Sequence, residues 1–162
     1  MKILTERLTK IEDELIVAGL FSDVRPLKGL AGEIDWLFNG EVSRLIMDGK
    51  ISGQAGDSLL LVPNNRLKAG KALILGMGKK GDFDSTCLRD MTKILLQKVI
   101  ALDVRRFAVE IFGAGYKALD YPAALGTMTS ELKKAQDMEI SFFVDKNTEK
   151  EIGIKLKGIL DS

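Results

Sequence analysis

The chain has 162 residues, 46% of them apolar, with a net charge of +1, one cysteine and no histidine. That length and apolar content suffice for one core-forming domain spanning residues 1–162, without disulfides or structural metals. The near-cancelled charge, with no Lys/Arg run interleaved with aromatics, excludes the footprint of a nucleic-acid or anionic-membrane binder, and the missing imidazole excludes His-based triads, His proton shuttles and His-ligated zinc.

The N-terminal MKILTERLTKIEDE carries charges at short intervals and no apolar h-region, so it is not a secretory signal. No apolar run approaches the roughly 20 residues of a membrane helix, and a cytoplasmic protein is expected. Residues 2–8 read as an edge strand. Glu14 to Phe21, ELIVAGLF, is a continuous apolar run of strand length, as expected where both faces of a strand are covered. Pro26 opens a helix with Leu27, Leu30, Ile34 and Leu37 at three- and four-residue spacing. After a break at Asn39-Gly40 a second helical face follows, Val42, Leu45 and Ile46, then a glycine-marked loop and a buried strand, Leu59 to Val62. The polar turn from Pro63 to Arg66 feeds another strand, Ala72 to Leu75, which can pair with its predecessor as a hairpin. Asp84 caps a long helix whose Leu88, Met91, Leu95, Val99 and Leu102 share one face. Phe107 to Phe112 is the next strand. A helix begins near Pro122 and buries Leu125, Met128 and Leu132. Ile140 to Val144 is the last strand, and Thr148 with Glu151 forms a capping box for a final helix with Ile152, Leu156 and Ile159 inward. Strands alternating with helices, with no linker between them, give an α/β class: about six strands in a central mixed sheet with helices on both faces.

Gly76-Met77-Gly78-Lys79-Lys80-Gly81 matches the dinucleotide fingerprint by spacing, but Asp82, Phe83 and Asp84 delay the helix and put carboxylates where a pyrophosphate would sit. Gly113-Ala114-Gly115-Tyr116 ends a strand, and its successive N–H groups suit an anion nest with Tyr116 as an aromatic cover. Asn39 and Gly40 would line the same crevice if the break folds beside that strand end. The competing reading is that Gly113 and Gly115 only relieve a tight turn and Tyr116 packs on the surface. Cys87 reads as a small core residue, the Asp82, Asp84 and Asp90 group as solvated, and Trp36 as partly buried beside the helical stripe.

Together, LIVAGLF, LKGLAGEIDWLFNGEVSRLIMDGKISGQAGDSLLLVP and ALILGMGKKGDFDSTCLRDM resemble the N-terminal domain of the leucine aminopeptidase family of metallopeptidases. The shared features are Asp35-Trp36, Asn39 to Leu45, Gly53 to Leu61 and Leu75 to Asp84, with similarity continuing through Ile140 to Val144 and the last helix. The resemblance implies a macro-domain-like, three-layer α/β/α sandwich. In that family peptide hydrolysis belongs to a separate C-terminal domain with two metal ions held by Lys, Asp and Glu. The sequence stops at Ser162 and carries no Asn-Thr-Asp-Ala-Glu-Gly-Arg run of the kind that supplies those ligands, so no catalytic residue, metal site or cofactor carries over. A free-standing, non-catalytic domain in assembly or regulation is expected, partnered by itself or by a full-length aminopeptidase subunit. The alternative is an ADP-ribose or nucleotide-binding module using Asn39, Gly40, Gly113, Gly115 and Tyr116, by similarity of Gly113 to Pro122 to a macro-domain glycine loop. The Gly-Asp-Ile/Leu triplet that usually meets adenosine in such domains is absent here.

Overall fold

The computed structural model describes residues 1–162. Its strands are β1 (Lys2–Leu4), β2 (Leu15–Phe21), β3 (Ser58–Leu61), β4 (Lys71–Gly78), β5 (Arg106–Glu110) and β6 (Glu139–Phe143). The helices are α1 (Gly29–Leu37), α2 (Glu41–Met47), α3 (Ser85–Ala101), α4 (Tyr121–Leu132) and α5 (Lys146–Asp161). The strands form one sheet in the order β1-β6-β5-β2-β4-β3, parallel except for the antiparallel β3 at one edge. The α/β class and the mixed six-stranded sheet with helices on both faces hold.

Central β2 explains its own sequence. It pairs with β4 on one side and β5 on the other, and every residue from Leu15 to Phe21 is buried. Alternation sends Leu15, Val17 and Phe21 into the core beneath α3, α4 and α5, and Ile16, Ala18 and Leu20 into the core beneath α1 and α2. Each fully buried aliphatic or aromatic side chain contributes about 1.5–3 kcal/mol, so both layers are held by apolar burial rather than by the exposed ion pairs.

Several element ends differ from the sequence expectation for local reasons. The edge strand stops at Leu4, and Leu8–Lys10 form a 3-10 turn that buries Leu8. The first helix begins at Gly29 rather than at Pro26, with Gly29 at φ +59°. The cap of α5 is Asp145, not a Thr148–Glu151 box. Its carboxylate accepts the Asn147 and Thr148 N–H groups at 3.0 Å each, and the Thr148 hydroxyl donates to it at 2.6 Å. Trp36 is 82% exposed, not partly buried.

The glycine pattern of β4 has a packing cause. A Cβ on Gly76 would lie 2.1 Å from the Gln54 carbonyl oxygen, because residues 53–57 bond along the end of β4: Gly76 N–H donates to Asp57 O, and Gly78 N–H to Gly53 O. Gly76 and Gly78 thus lie within a strand edge, and the next helix starts only at Ser85, capped by Asp84.

Candidate functional site

The crossover after β2 runs to α1 on one face and the crossover after β5 runs to α4 on the other. The carboxyl ends of these neighbours are therefore the switch point at which a doubly wound sheet opens a crevice. The two strands pair only from Leu15–Val17 with Phe107–Val109 and then part. Beyond that point the Gly19 N–H donates to the Glu110 carboxylate, which also lies within reach of the Leu30 N–H in the first turn of α1 and is stabilised by it in its charged form. A side chain therefore replaces the next rung of the ladder. Burial pushes the Glu110 carboxyl up to about 7, against the pull of those two N–H groups toward the charged form.

Tyr116, from the β5–α4 loop, crosses this gap. Its hydroxyl donates to the Lys28 carbonyl at 2.7 Å, and its ring meets Phe21 edge-on at 5.1 Å between centroids. Burial raises the phenol pKa, with the Glu110 charge adding to it.

Two cavities of opposite character adjoin this loop, with Gly115 bordering both. On one side, about 270 Å³ is bounded in part by Gly29, Glu33, Glu110, Gly115, Tyr121 and Asp145. Burial raises the Glu33 carboxyl. Burial also pushes Asp145 upward, but the Thr148 and Asn147 hydrogen bonds outweigh it and leave that carboxyl below its ordinary value. On the other side, about 430 Å³ is bounded by Asp23, Val24, Arg25, Lys28, Lys80, Gly115, Tyr116 and Lys117. Arg25 is fixed by backbone acceptors: its guanidinium donates to Phe21 O at 2.9 Å, Val24 O at 2.8 Å and Ser52 O at 3.2 Å.

Of the residues singled out from sequence, Gly115 and Tyr116 line this crevice. Gly113, at φ +80°, is packed beneath the Phe83 ring, 2.7 Å from where a Cβ would stand, so it shapes the turn from below. Asn39 and Gly40 do not join them. They lie with Gly32, Asp35 and Trp36 along a shallow groove of about 600 Å³ at the far end of α1, whereas Tyr116 meets the near end, roughly 13 Å away along nine helical residues. Glu110 went unnoticed in the sequence, although a lone acid inside the apolar run FAVEIFG was a visible signal. Arg25, Lys28, Lys80 and Lys117 gave none, being scattered along the chain. No three Asp, Glu or Cys side chains converge as metal ligands would, and no helix is long and apolar enough to cross a membrane.

Residues 17–132 match the family described as the cytosol aminopeptidase family, N-terminal domain. Among curated proteins, a probable cytosol aminopeptidase of Baumannia cicadellinicola is 32% identical over 102 residues, covering 63% of this chain and 20% of the relative. The chain thus spans about a fifth of the length of such relatives. Among solved structures, a Trypanosoma brucei macrodomain in complex with ADP-ribose superposes with a TM-score of 0.74 at 17% identity, covering 98% of this chain and 68% of that one. A mutant of tomato leucine aminopeptidase superposes with a TM-score of 0.63 at 17% identity, covering 97% of this chain and 34% of that one. These likenesses establish a macrodomain-like fold.

Proposed function

The chain belongs to the cytosol aminopeptidase family, as its N-terminal domain, and from that premise we propose that it acts as one non-catalytic domain in assembly and regulation, pairing in the cytoplasm with itself or with a full-length aminopeptidase subunit. In this reading peptide hydrolysis is the work of a separate domain. The observation that carries it is Trp36, 82% exposed on α1. Tryptophan is the residue type most enriched where interfaces concentrate their binding energy, about 2 kcal/mol or more per anchor. Its support is held still in advance: the Asp35 carboxylate accepts the Ser43 N–H at 3.0 Å and the Ser43 hydroxyl at 2.5 Å, tying α1 to α2. Size-exclusion chromatography with light scattering, on the chain mixed with a full-length cytosol aminopeptidase subunit, tests this. A joint peak, with no peptide hydrolysis by the chain alone, is expected. Chelator-sensitive hydrolysis by the chain alone that survives repurification contradicts it.

A second reading is favoured by the crevice at the parted ends of β2 and β5: an ADP-ribose-like ligand bound beside Gly115 and Tyr116. Calorimetric titration with ADP-ribose should give heat and a thermal shift. Neither effect at millimolar ligand removes the reading.

A further inference from the structure

We infer that the outer edge of β3 is a self-association surface, on which a second copy of this chain lays its own β3 antiparallel about a two-fold axis through Leu60. The inference rests on the assembly reading, whose partner it names, and adds to Trp36 a surface with a signal of its own.

The ladder behind β3 decides which groups face outward. Gly76 N–H donates to Asp57 O, one step before the Ser58–Leu75 pair of the antiparallel register. Bonded and non-bonded pairs alternate in such a ladder, so Leu59 and Leu61 bond inward to Ile74 and Ala72, while Ser58 and Leu60 turn their N–H and C=O groups away from β4. No loop or turn of the chain supplies a backbone partner for those outward groups. The side chains alternate in step. Leu59 and Leu61 face the core beneath α1 and α2, whereas Leu60 and, just past the strand, Val62 are 41% and 64% exposed.

Sheet edges that stay free in solution carry a guard, such as a charge, a proline or a covering element. The opposite edge has one: β1 is three residues long, opens on Lys2 and is packed by α5. The edge at β3 has none. No charged residue lies between Ser58 and Asn65. Pro63 is buried and falls in the inward-bonding phase, so its missing N–H leaves the outer edge intact.

This edge is complementary to itself. A two-fold axis through Leu60 sets Leu60 against Leu60 and Ser58 against Val62, so that every outward-bonding residue meets another and each opposed pair exchanges two N–H···O bonds. Charge obeys the same operation. Asp57 falls opposite Pro63 of the second copy, and the turn in which Arg66 N–H donates to Pro63 O at 3.0 Å keeps Arg66 at that end. Hydrogen bonds from the Ser52 hydroxyl at 2.8 Å and the Ser52 N–H at 3.1 Å hold the Asp57 carboxyl below its ordinary value, in its charged form. Arg66 has only an exposed partner within its own chain, Glu41 at 3.7 Å. An anion and a cation at opposite ends of a neutral strand favour the antiparallel alignment, whereas a parallel one sets Asp57 beside Asp57. The Arg66 guanidinium also lies over the Phe38 ring at 5.4 Å, so the basic end of the edge adjoins the end of α1 that carries Trp36.

Sedimentation equilibrium of the full chain, wild type against Leu60→Lys and Leu60→Glu, tests the pairing. Wild type should reach twice the mass of its 17.8 kDa chain. Each variant alone should self-associate about tenfold more weakly, because like charges meet at the axis, and an equimolar mixture of the two should recover the dimer. Amide hydrogen exchange on wild type gives a readout free of substitution: protection of Leu60 should rise with protein concentration, while Leu59, already bonded to β4, should not change. Variants that dimerise like wild type, a mixture that stays monomeric, or Leu60 exchange independent of concentration overturns the inference. Loss of the dimer in Trp36→Ser then leaves the assembly reading standing without this edge. Wild type that is monomeric alone but forms a complex with a full-length aminopeptidase subunit likewise overturns only the edge pairing, and a monomer in both settings removes both.

Discussion

Glu110 shows how much one side chain decides at this crevice. Its carboxylate completes the ladder for Gly19, yet burial holds its pKa up to about 7. A folded-state pKa above the unfolded value of 4.5 means that the protonated form favours folding. The contribution is complete below about pH 4.5 and is lost as pH rises through about 7. In urea denaturation, wild type should therefore lose about 3 kcal/mol between pH 4.5 and 8 relative to Glu110→Gln, which cannot titrate. Parallel profiles for the two proteins would show that Glu110 does not ionise in that window. A charge inside an apolar run is legible in sequence. That it would meet Gly19 was not, because the contact depends on two strands parting after three paired positions. Trp36 was legible only in part. It lies two residues, and so about 200° around the helix, beyond buried Ile34, which turns it fully outward.

At the scale of elements, order and type were readable because unbroken apolar runs mark doubly covered strands and three- and four-residue spacing marks helix faces. The ends were decided by competition that spacing rules do not register. Thr148 and Glu151 satisfy a capping pattern, but Asp145 offers its carboxylate to the Asn147 and Thr148 N–H groups and starts α5 earlier. Asp145→Ala should cost about 1 kcal/mol of unfolding free energy, and a change within error would assign the cap elsewhere. The glycines of Gly76 to Gly81 separate packing from motif. Gly76→Ala drives a Cβ into Gln54 O and should destabilise by about 3 kcal/mol or prevent folding, whereas Gly81→Ala meets nothing within 4 Å and should stay within about 0.5 kcal/mol of wild type. Equal effects in denaturant titrations would contradict this account of β4.

At the scale of the molecule, the strand order β5-β2-β4 gathers Lys117, Arg25, Lys28 and Lys80 around one cavity. No periodicity in the sequence encodes that meeting, since the four residues fall on three loops far apart in the chain. The same topology sends Asn39 and Gly40 to the other end of α1, beside Trp36, so the glycine break first read as part of a ligand crevice adjoins the exposed tryptophan instead. The crevice proposed for a ligand and the exposed tryptophan proposed for assembly thus lie at opposite ends of one helix. The assembly claim is tested most directly by sedimentation velocity over a dilution series, with and without a full-length aminopeptidase subunit, comparing wild type with Trp36→Ser. Wild type is expected to sediment, alone or with that subunit, as a species heavier than its 17.8 kDa chain, and Trp36→Ser to return it to the monomer. Sedimentation of wild type as a monomer at every concentration and in both mixtures would contradict it.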